Sequence, residues 1–220
     1  IWDRVDPLCE KYYNTSPYAY CGNNPVNAVD PEGKDSYLLI WFAQKKNVGH
    51  AGFAIANYNY KGQMNGTYTY LDLWPLEGHK LKGDTNNAAF QVKSNIELIE
   101  LLHSDVTGYE NRKPDAYIKI FSNREKDTEA YEAMKEEINN DKYDLFERNC
   151  SDFAKTGIQA ATGIKVDGQE QILTKKVTTP GQLFRDVRKI KGVQTVIQNK
   201  NSNTEQKMST YILNQILNAF

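Results

Sequence analysis

The sequence predicts an α+β fold in which an antiparallel sheet packs against helices. Apolar runs of strand length alternate with polar connections, as strands of such a sheet do. One connection, 59–67, contains two asparagines and two glycines between two of these runs, which is typical of a hairpin and therefore of antiparallel pairing. Helix start signals follow only later in the chain. The predicted strands are 37–43, 49–58, 68–74 and 116–121.

Two segments between the predicted strands are less regular. Residues 78–95 are rich in Gly, Asn and Lys, which predicts a long loop. Residues 95–103 form a short apolar segment whose periodicity fits a helix and a strand equally well. The pattern leaves both alternatives open.

Two helices are expected after the fourth strand. Ser122 and Glu125 have the spacing of a capping box, and apolar residues follow on one helical face up to Ile138. Asn149 predicts the start of a second helix over 150–161 that ends at Gly163.

The last 46 residues are expected to be a helical extension. Thr179 and Pro180 signal a helix start, since proline suits the first helical position. Residues 204–220 carry an apolar stripe at helical spacing, so we expect this tail helix to pack on its own domain.

Charge is uneven along the 220 residues, although the net charge is only −1. Residues 35–174 carry 16 basic and 21 acidic side chains, whereas 175–220 carry 8 basic and 2 acidic. We therefore predict three parts, 1–34, 35–174 and 175–220. The overall balance argues against nucleic acid as a partner. No apolar stretch is long enough for a transmembrane helix, and no signal peptide is expected at Ile1; the chain reads as cut from something longer.

Cys150 is the candidate nucleophile because it follows Asn149 at the first turn of a predicted helix. The positive end of the helix dipole and unpaired amides favour a thiolate there. The partner base is expected to be histidine, and His50 lies among small residues that leave room for a substrate or another chain element. Asp72, a lone acid in an apolar strand, is the candidate to orient His50, with His79 as an alternative.

The sequence lacks the motifs that other kinds of active site require. The chain has no His-Glu-x-x-His motif, no Cys-x-x-Cys motif and no glycine-rich phosphate loop, so neither metal nor cofactor is expected. Cys9 and Cys21 have a spacing that would permit a bridge, but nothing requires one.

Residues 1–34 resemble the end of the core domain of Rhs-repeat proteins. The resemblance rests on an ordered string of short motifs that closes with a Pro-x-x-x-x-Asp-Pro-x-Gly junction signature, formed by Pro25, Asp30, Pro31 and Gly33. It implies that the core cuts its own chain there and that a toxin domain follows. Lys34 stands where the family usually has leucine.

The order of the His50 and Cys150 motifs resembles the circularly permuted NlpC/P60 branch of papain-like proteins, which includes the lecithin:retinol acyltransferase-like proteins. The matching pieces are 49–53 and 148–153. The resemblance implies a permuted papain-like fold, a Cys nucleophile, a His base and a third polar group on the next strand.

Together the two resemblances imply an interbacterial toxin, delivered by a secretion system as part of a larger Rhs effector and neutralised by an immunity protein. The expected activity is a cysteine peptidase or amidase, or an acyltransferase, on peptidoglycan, protein or lipid. Backbone amides at the helix start, including that of Cys150, are expected to stabilise an oxyanion. The alternative is a non-catalytic binding or pore-forming module in which Cys150 is only packed.

Overall fold

The computed structural model describes residues 35–43, 48–75, 88–103, 112–139, 142–172 and 174–199. The chain divides into two units, Ile1–Gly33 and Lys34–Phe220, and every described residue belongs to the second. The junction motif, from Pro25 to Lys34, and the predicted tail helix 204–220 lie outside the described residues.

Eight strands and four helices form the described part of the chain. In chain order they are β1 (Asp35–Trp41), β2 (His50–Tyr58), β3 (Met64–Pro75), β4 (Ala88–Glu97), α1 (Leu98–His103), β5 (Ala116–Phe121), α2 (Arg124–Ile138), α3 (Cys150–Thr162), β6 (Gln169–Ile172), β7 (Lys175–Thr178), α4 (Pro180–Val187) and β8 (Val193–Ile197).

Six of the strands form one sheet in the order β4-β3-β2-β1-β5-β8. Every neighbouring pair in this sheet is antiparallel. Strands β6 and β7 form a separate antiparallel pair. The predicted α+β class with an antiparallel sheet packed against helices is therefore confirmed.

The sheet carries a different core on each face, because alternate side chains of a strand point to opposite sides. One face packs against α2, α3 and α4, with Phe53, Leu71 and Phe153 among its fully buried side chains. The other face is aromatic and includes Trp41 and Tyr70, with α1 packed beside it. Both faces being covered explains why β1 is buried at all seven positions.

The loop predicted over 78–95 is wrong for its last eight residues, which belong to β4. This strand lies at the edge of the sheet, so several of its positions are exposed and its sequence shows no continuous apolar run. The undecided segment 95–103 contains both alternatives, the end of β4 and then α1. Asn95 has a φ of 60°, and the register of β3 against β4 shifts close to it.

Two further expectations are corrected at helix and strand ends. The cap of α2 is Asn123, whose side chain accepts a hydrogen bond from the Lys126 amide, rather than Ser122. The Ser122 hydroxyl instead donates to the Asp127 carboxylate in the first turn. Residues 175–199 are helical only in α4; β7 precedes it, and β8 completes the sheet by pairing with β5.

Candidate active site

Cys150 is the first residue of α3, and its position is fixed by the cap that precedes it. The Asn149 side chain accepts hydrogen bonds from the amides of Ser151, at 2.7 Å, and Asp152, at 3.3 Å. The backbone amide of Asn149 donates in turn to the Asp152 carboxylate, which completes a capping box. The helix ends at Gly163, whose φ of 69° is the left-handed conformation that glycine adopts readily. The predicted helix over 150–161 is therefore confirmed.

The cap also ties the start of α3 to a distant segment. The Asn149 side-chain amide donates to the Leu145 carbonyl and to the Thr178 carbonyl, both at 2.9 Å. Asn149 is buried, so these bonds satisfy a polar group that could not reach water. The short strand β7 thus holds the turn that carries Cys150.

His50 is the first residue of β2 and pairs with Trp41 of β1. Gly49, just before it, has a φ of 82°, and a Cβ there would lie 2.6 Å from the Trp41 carbonyl oxygen. Only glycine fits this turn without strain. The close approach of the backbone sets the direction from which the His50 side chain enters the sheet.

His50 lies between Asp72 and Cys150, as a base would lie between an acid and a thiol. The His50 Nε2 lies 3.1 Å from the Asp72 Oδ2, and the Cys150 side chain lies close enough to the ring to raise its pKa. Because Nε2 faces Asp72, Nδ1 is the nitrogen available to the thiol. The exposed fractions are 1% for His50, 0% for Asp72 and 6% for Cys150.

The electrostatics of this group favour a protonated ring. Burial alone would lower the pKa of His50, but the negative charge of Cys150 and the hydrogen bonds to Asp72 and Cys150 raise it to about 9. The ring is therefore an imidazolium at neutral pH.

Asp72 has two further donors that the sequence analysis did not single out. The Tyr70 hydroxyl donates to Asp72 Oδ2 at 2.9 Å, and the Trp74 indole Nε1 donates to the same oxygen at 2.7 Å. Residues 70, 72 and 74 alternate along β3, so they share one face of the sheet. The alternation of two polar aromatic residues around an acid is the sequence signal that could have identified these two donors.

Aromatic rings enclose the His50 imidazole. Trp74 stacks on it with ring centres 4.0 Å apart and planes inclined by 20°. Trp41 lies 5.4 Å away at 48°. These rings limit the rotation of the imidazole and help to exclude water from it.

At Gly52 the structure shows one of the two expected uses of the small residues around His50, room for another chain element. A Cβ at this position would lie 2.1 Å from the Tyr70 hydroxyl oxygen, so the tyrosine side chain occupies that space. The small residue serves another part of the chain rather than a substrate. The absence of a side chain at Gly52 lets the Tyr70 ring lie over β2, where its hydroxyl reaches Asp72.

A small apolar cluster joins the segments that lead into both reactive residues. Val48 precedes His50 by two positions, and Leu145 precedes Cys150 by five. Both pack with Ile172 and Val177 of the β6–β7 pair. The relative position of base and thiol therefore depends on a hairpin that neither sequence motif includes.

The amides at the start of α3 are only partly available to a substrate. The cap already binds those of Ser151 and Asp152, which corrects the expectation that several first-turn amides face an oxyanion. Among the described residues, no acceptor contacts the amide of Cys150. That amide is the donor this helix can offer to a carbonyl oxygen held at the sulfur.

Of the two other histidines of the chain, His79 lies outside the described residues, and His103 is exposed at the end of α1. Across the described ranges, no three His, Cys, Asp or Glu side chains converge as metal ligands would. The described helices include none with the length and hydrophobicity needed to cross a membrane. Comparisons with protein-family models, with curated proteins and with solved structures found no match to this chain.

Proposed function

We propose that residues 35–199 form a permuted papain-like (NlpC/P60-like) domain that hydrolyses or transfers an acyl group, with Cys150 as nucleophile. Peptidase or amidase activity is the favoured form. The observation that carries the proposal is the relay from Asp72 through Nε2 of His50 to the Cys150 thiol. An acid, a buried imidazole and a thiol at a helix start are the parts that thiol acyl chemistry needs.

In the first half of the proposed reaction, the Cys150 thiolate attacks the carbonyl carbon of an amide or ester. The oxygen of the tetrahedral intermediate accepts a hydrogen bond from the Cys150 amide. The His50 imidazolium donates its Nδ1 proton to the leaving amine or alcohol, and the carbon–nitrogen or carbon–oxygen bond breaks. The products are a free amine or alcohol and a thioester on Cys150.

In the second half, neutral His50 accepts a proton from water or from another acyl acceptor through Nδ1. The oxygen or nitrogen of that acceptor attacks the thioester carbon and expels the Cys150 thiolate. The imidazolium and the thiolate are both restored, so no oxidant, metal or cofactor enters the balance. Asp72 keeps Nε2 protonated in both halves.

The toxin context of the proposal comes from residues 1–34, which resemble the end of an Rhs core. It makes this domain the C-terminal toxin of a larger secreted effector, with an immunity protein as its inhibitor in the producing cell. Peptidoglycan peptides, proteins of the target cell and lipid esters are the substrate classes that the chemistry would accept.

The burial of Cys150 supports a second candidate. With an exposed fraction of 6%, the thiol is placed as a small apolar side chain often is. A binding or pore-forming module with a structural cysteine would show the same burial. The two candidates differ in whether the thiol reacts.

Alkylation of Cys150 separates them. The chain has three cysteines, so the double variant Cys9→Ser/Cys21→Ser leaves Cys150 as the single thiol. At pH 6 an ordinary thiol is less than about 1% ionised, so a thiolate paired with His50 should react with iodoacetamide at least about tenfold faster than glutathione. Folded protein that reacts only as fast as its urea-unfolded form would favour the structural reading.

Toxicity tests the same assignment in cells. Cys150→Ala removes one sulfur atom at a helix start, so its cost in folding free energy should not exceed about 1–2 kcal/mol. We expect the variant to keep its circular dichroism spectrum and to lose its effect on the survival of expressing cells. His50→Ala should lose nearly as much, because nucleophile and base act as a unit. A folded, toxic Cys150→Ala protein would contradict the thiol mechanism.

A further inference from the structure

The Asp72 carboxylate concentrates its hydrogen bonds on one oxygen. Oδ2 contacts His50 Nε2, the Tyr70 hydroxyl and the Trp74 indole at 3.1, 2.9 and 2.7 Å. Oδ1 is buried and has no hydrogen-bond partner among the described residues. A carboxylate can accept at both oxygens. The site therefore directs its donors to the oxygen that faces the imidazole.

Each of the two added donors is itself held in place. The Tyr70 ring lies over Gly52 of β2, in the space that a Cβ would otherwise fill. The Trp74 ring stacks on the same imidazole that Asp72 contacts. Tyr70 is fully buried. The donors are thus preorganised rather than recruited by the charge.

A buried ion pair between His50 and Asp72 competes with a neutral pair. Burial penalises both charges, and the penalty is removed if the proton moves from the ring to the carboxylate. Two neutral donors on Oδ2 stabilise the carboxylate and so oppose this transfer. The Nε2 proton then stays on the ring, so the ring remains cationic and its Nδ1 proton stays acidic enough to pass to a leaving group.

We propose that Tyr70 and Trp74 are positioning residues that hold Asp72 as a carboxylate against His50 Nε2 and thereby keep the imidazole protonated at both nitrogens. The proposal deepens the function proposed above and rests on it for the use of the Nδ1 proton. Among the described residues, the titratable groups that face His50 are Asp72 and Cys150, with Tyr70 behind Asp72. The neutral rings of Trp41 and Trp74 also lie against the imidazole.

The test locates the proton shared by His50 and Asp72 from the NMR chemical shift of the His50 Nε2 nitrogen at neutral pH. The chain has three histidines, so the parent protein carries His79→Gln and His103→Gln to leave a single signal. Tyr70→Phe removes only the hydroxyl, and Trp74→Phe removes the indole donor but keeps an aromatic ring on the imidazole. In the parent the ring is protonated at neutral pH, because its pKa is raised to about 9. In each variant the Nε2 signal should move towards that of an unprotonated ring nitrogen, because the carboxylate loses a donor that stabilises its charge.

A matched control separates the donor effect from general disturbance of the core. Tyr68→Phe removes a buried hydroxyl two positions away on the same face of β3, and that hydroxyl interacts with Tyr37. This control should leave the Nε2 signal of His50 unchanged. If Tyr70→Phe does not fold, Trp74→Phe tests the same oxygen independently.

The outcomes distinguish this inference from the proposed function. An Nε2 signal that moves in both donor variants and stays constant in the control supports the positioning role. A parent ring that is protonated at neutral pH, with an Nε2 signal that is unchanged in the donor variants, overturns the role and leaves the thiol mechanism standing. A parent ring that is neutral at neutral pH, together with slow alkylation of Cys150, overturns the proposed function and this inference with it.

Discussion

Gly52→Ala should damage both the stability and the chemistry of the protein, although it adds a single methyl group. The new Cβ would lie 2.1 Å from the Tyr70 hydroxyl oxygen and 2.5 Å from two carbons of the ring, so the tyrosine must move. Forcing an extra methyl into a packed core costs about 1–3 kcal/mol, and losing a hydrogen bond to a charged group costs about 1.5–3 kcal/mol. We expect the free energy of unfolding to fall by about 2.5–6 kcal/mol.

Urea denaturation followed by circular dichroism measures the loss of stability, and alkylation of Cys150 at pH 6 measures the loss of the relay. Gly157→Ala is the matched control. Its Cβ would lie 2.5 Å from the Met134 sulfur, so it should also lower stability, but it does not touch Tyr70. We expect slower alkylation in Gly52→Ala and unchanged alkylation in Gly157→Ala.

A double-mutant cycle isolates the contact between the two residues. In a Tyr70→Ala background the space beside position 52 is empty, so adding Gly52→Ala should cost less than about 1 kcal/mol. A cost for Gly52→Ala that is the same with and without the tyrosine side chain would refute the reasoning, because the methyl group would then be acting through something other than Tyr70.

Three more perturbations test other parts of the structure. The pKa of His50 in the folded state is raised to about 9, above its ordinary value of 6.5. Protonated His50 therefore stabilises the fold fully below pH 6.5, and this stabilisation is lost as pH rises through 9. The free energy of unfolding, measured by urea denaturation, should therefore fall by up to about 3 kcal/mol between pH 7 and pH 10. His50→Gln should remove this pH dependence. Val177→Ala should cost about 1–3 kcal/mol and slow alkylation of Cys150, whereas Val187→Ala, equally buried in the main core, should cost as much and leave alkylation unchanged. Burial raises the pKa of Asp127 above 3.8, so its contribution to stability should fall as pH rises above about 4; Asp127→Asn should flatten that part of the stability–pH curve.

Local signals in the sequence were sufficient for the central strands and for two helix starts. Strands β1, β2 and β5 are buried on the faces that pack, so their sequences are apolar over a strand length. The caps at Asn149 and Thr179 act within three residues, which is why a sequence can show them. His50, Asp72 and Cys150 stood out because each is a reactive side chain in an otherwise apolar or small-residue segment.

The sequence did not show features that depend on pairing or on side-chain direction. Strands β4 and β8 lie at the two edges of the sheet, where one side faces solvent and a continuous apolar run is not required. The cap of α2 moved from Ser122 to Asn123 because the serine hydroxyl has a buried acid to bind. The donors Tyr70 and Trp74 read as ordinary core aromatics until Asp72 is seen between them.

The separation of the three reactive residues along the chain has a consequence for when the site comes into being during folding. His50 and Asp72 are only 22 positions apart and lie on adjacent hairpin strands, so their contact closes a short loop. Cys150 follows His50 by 100 positions, and its turn also requires Thr178 of β7. Contacts between distant segments form late because chain entropy opposes them. A chain emerging from a ribosome or threading through a narrow channel would therefore bring His50 and Asp72 together first, and would place Cys150 beside them only after residue 178 had emerged and folded back.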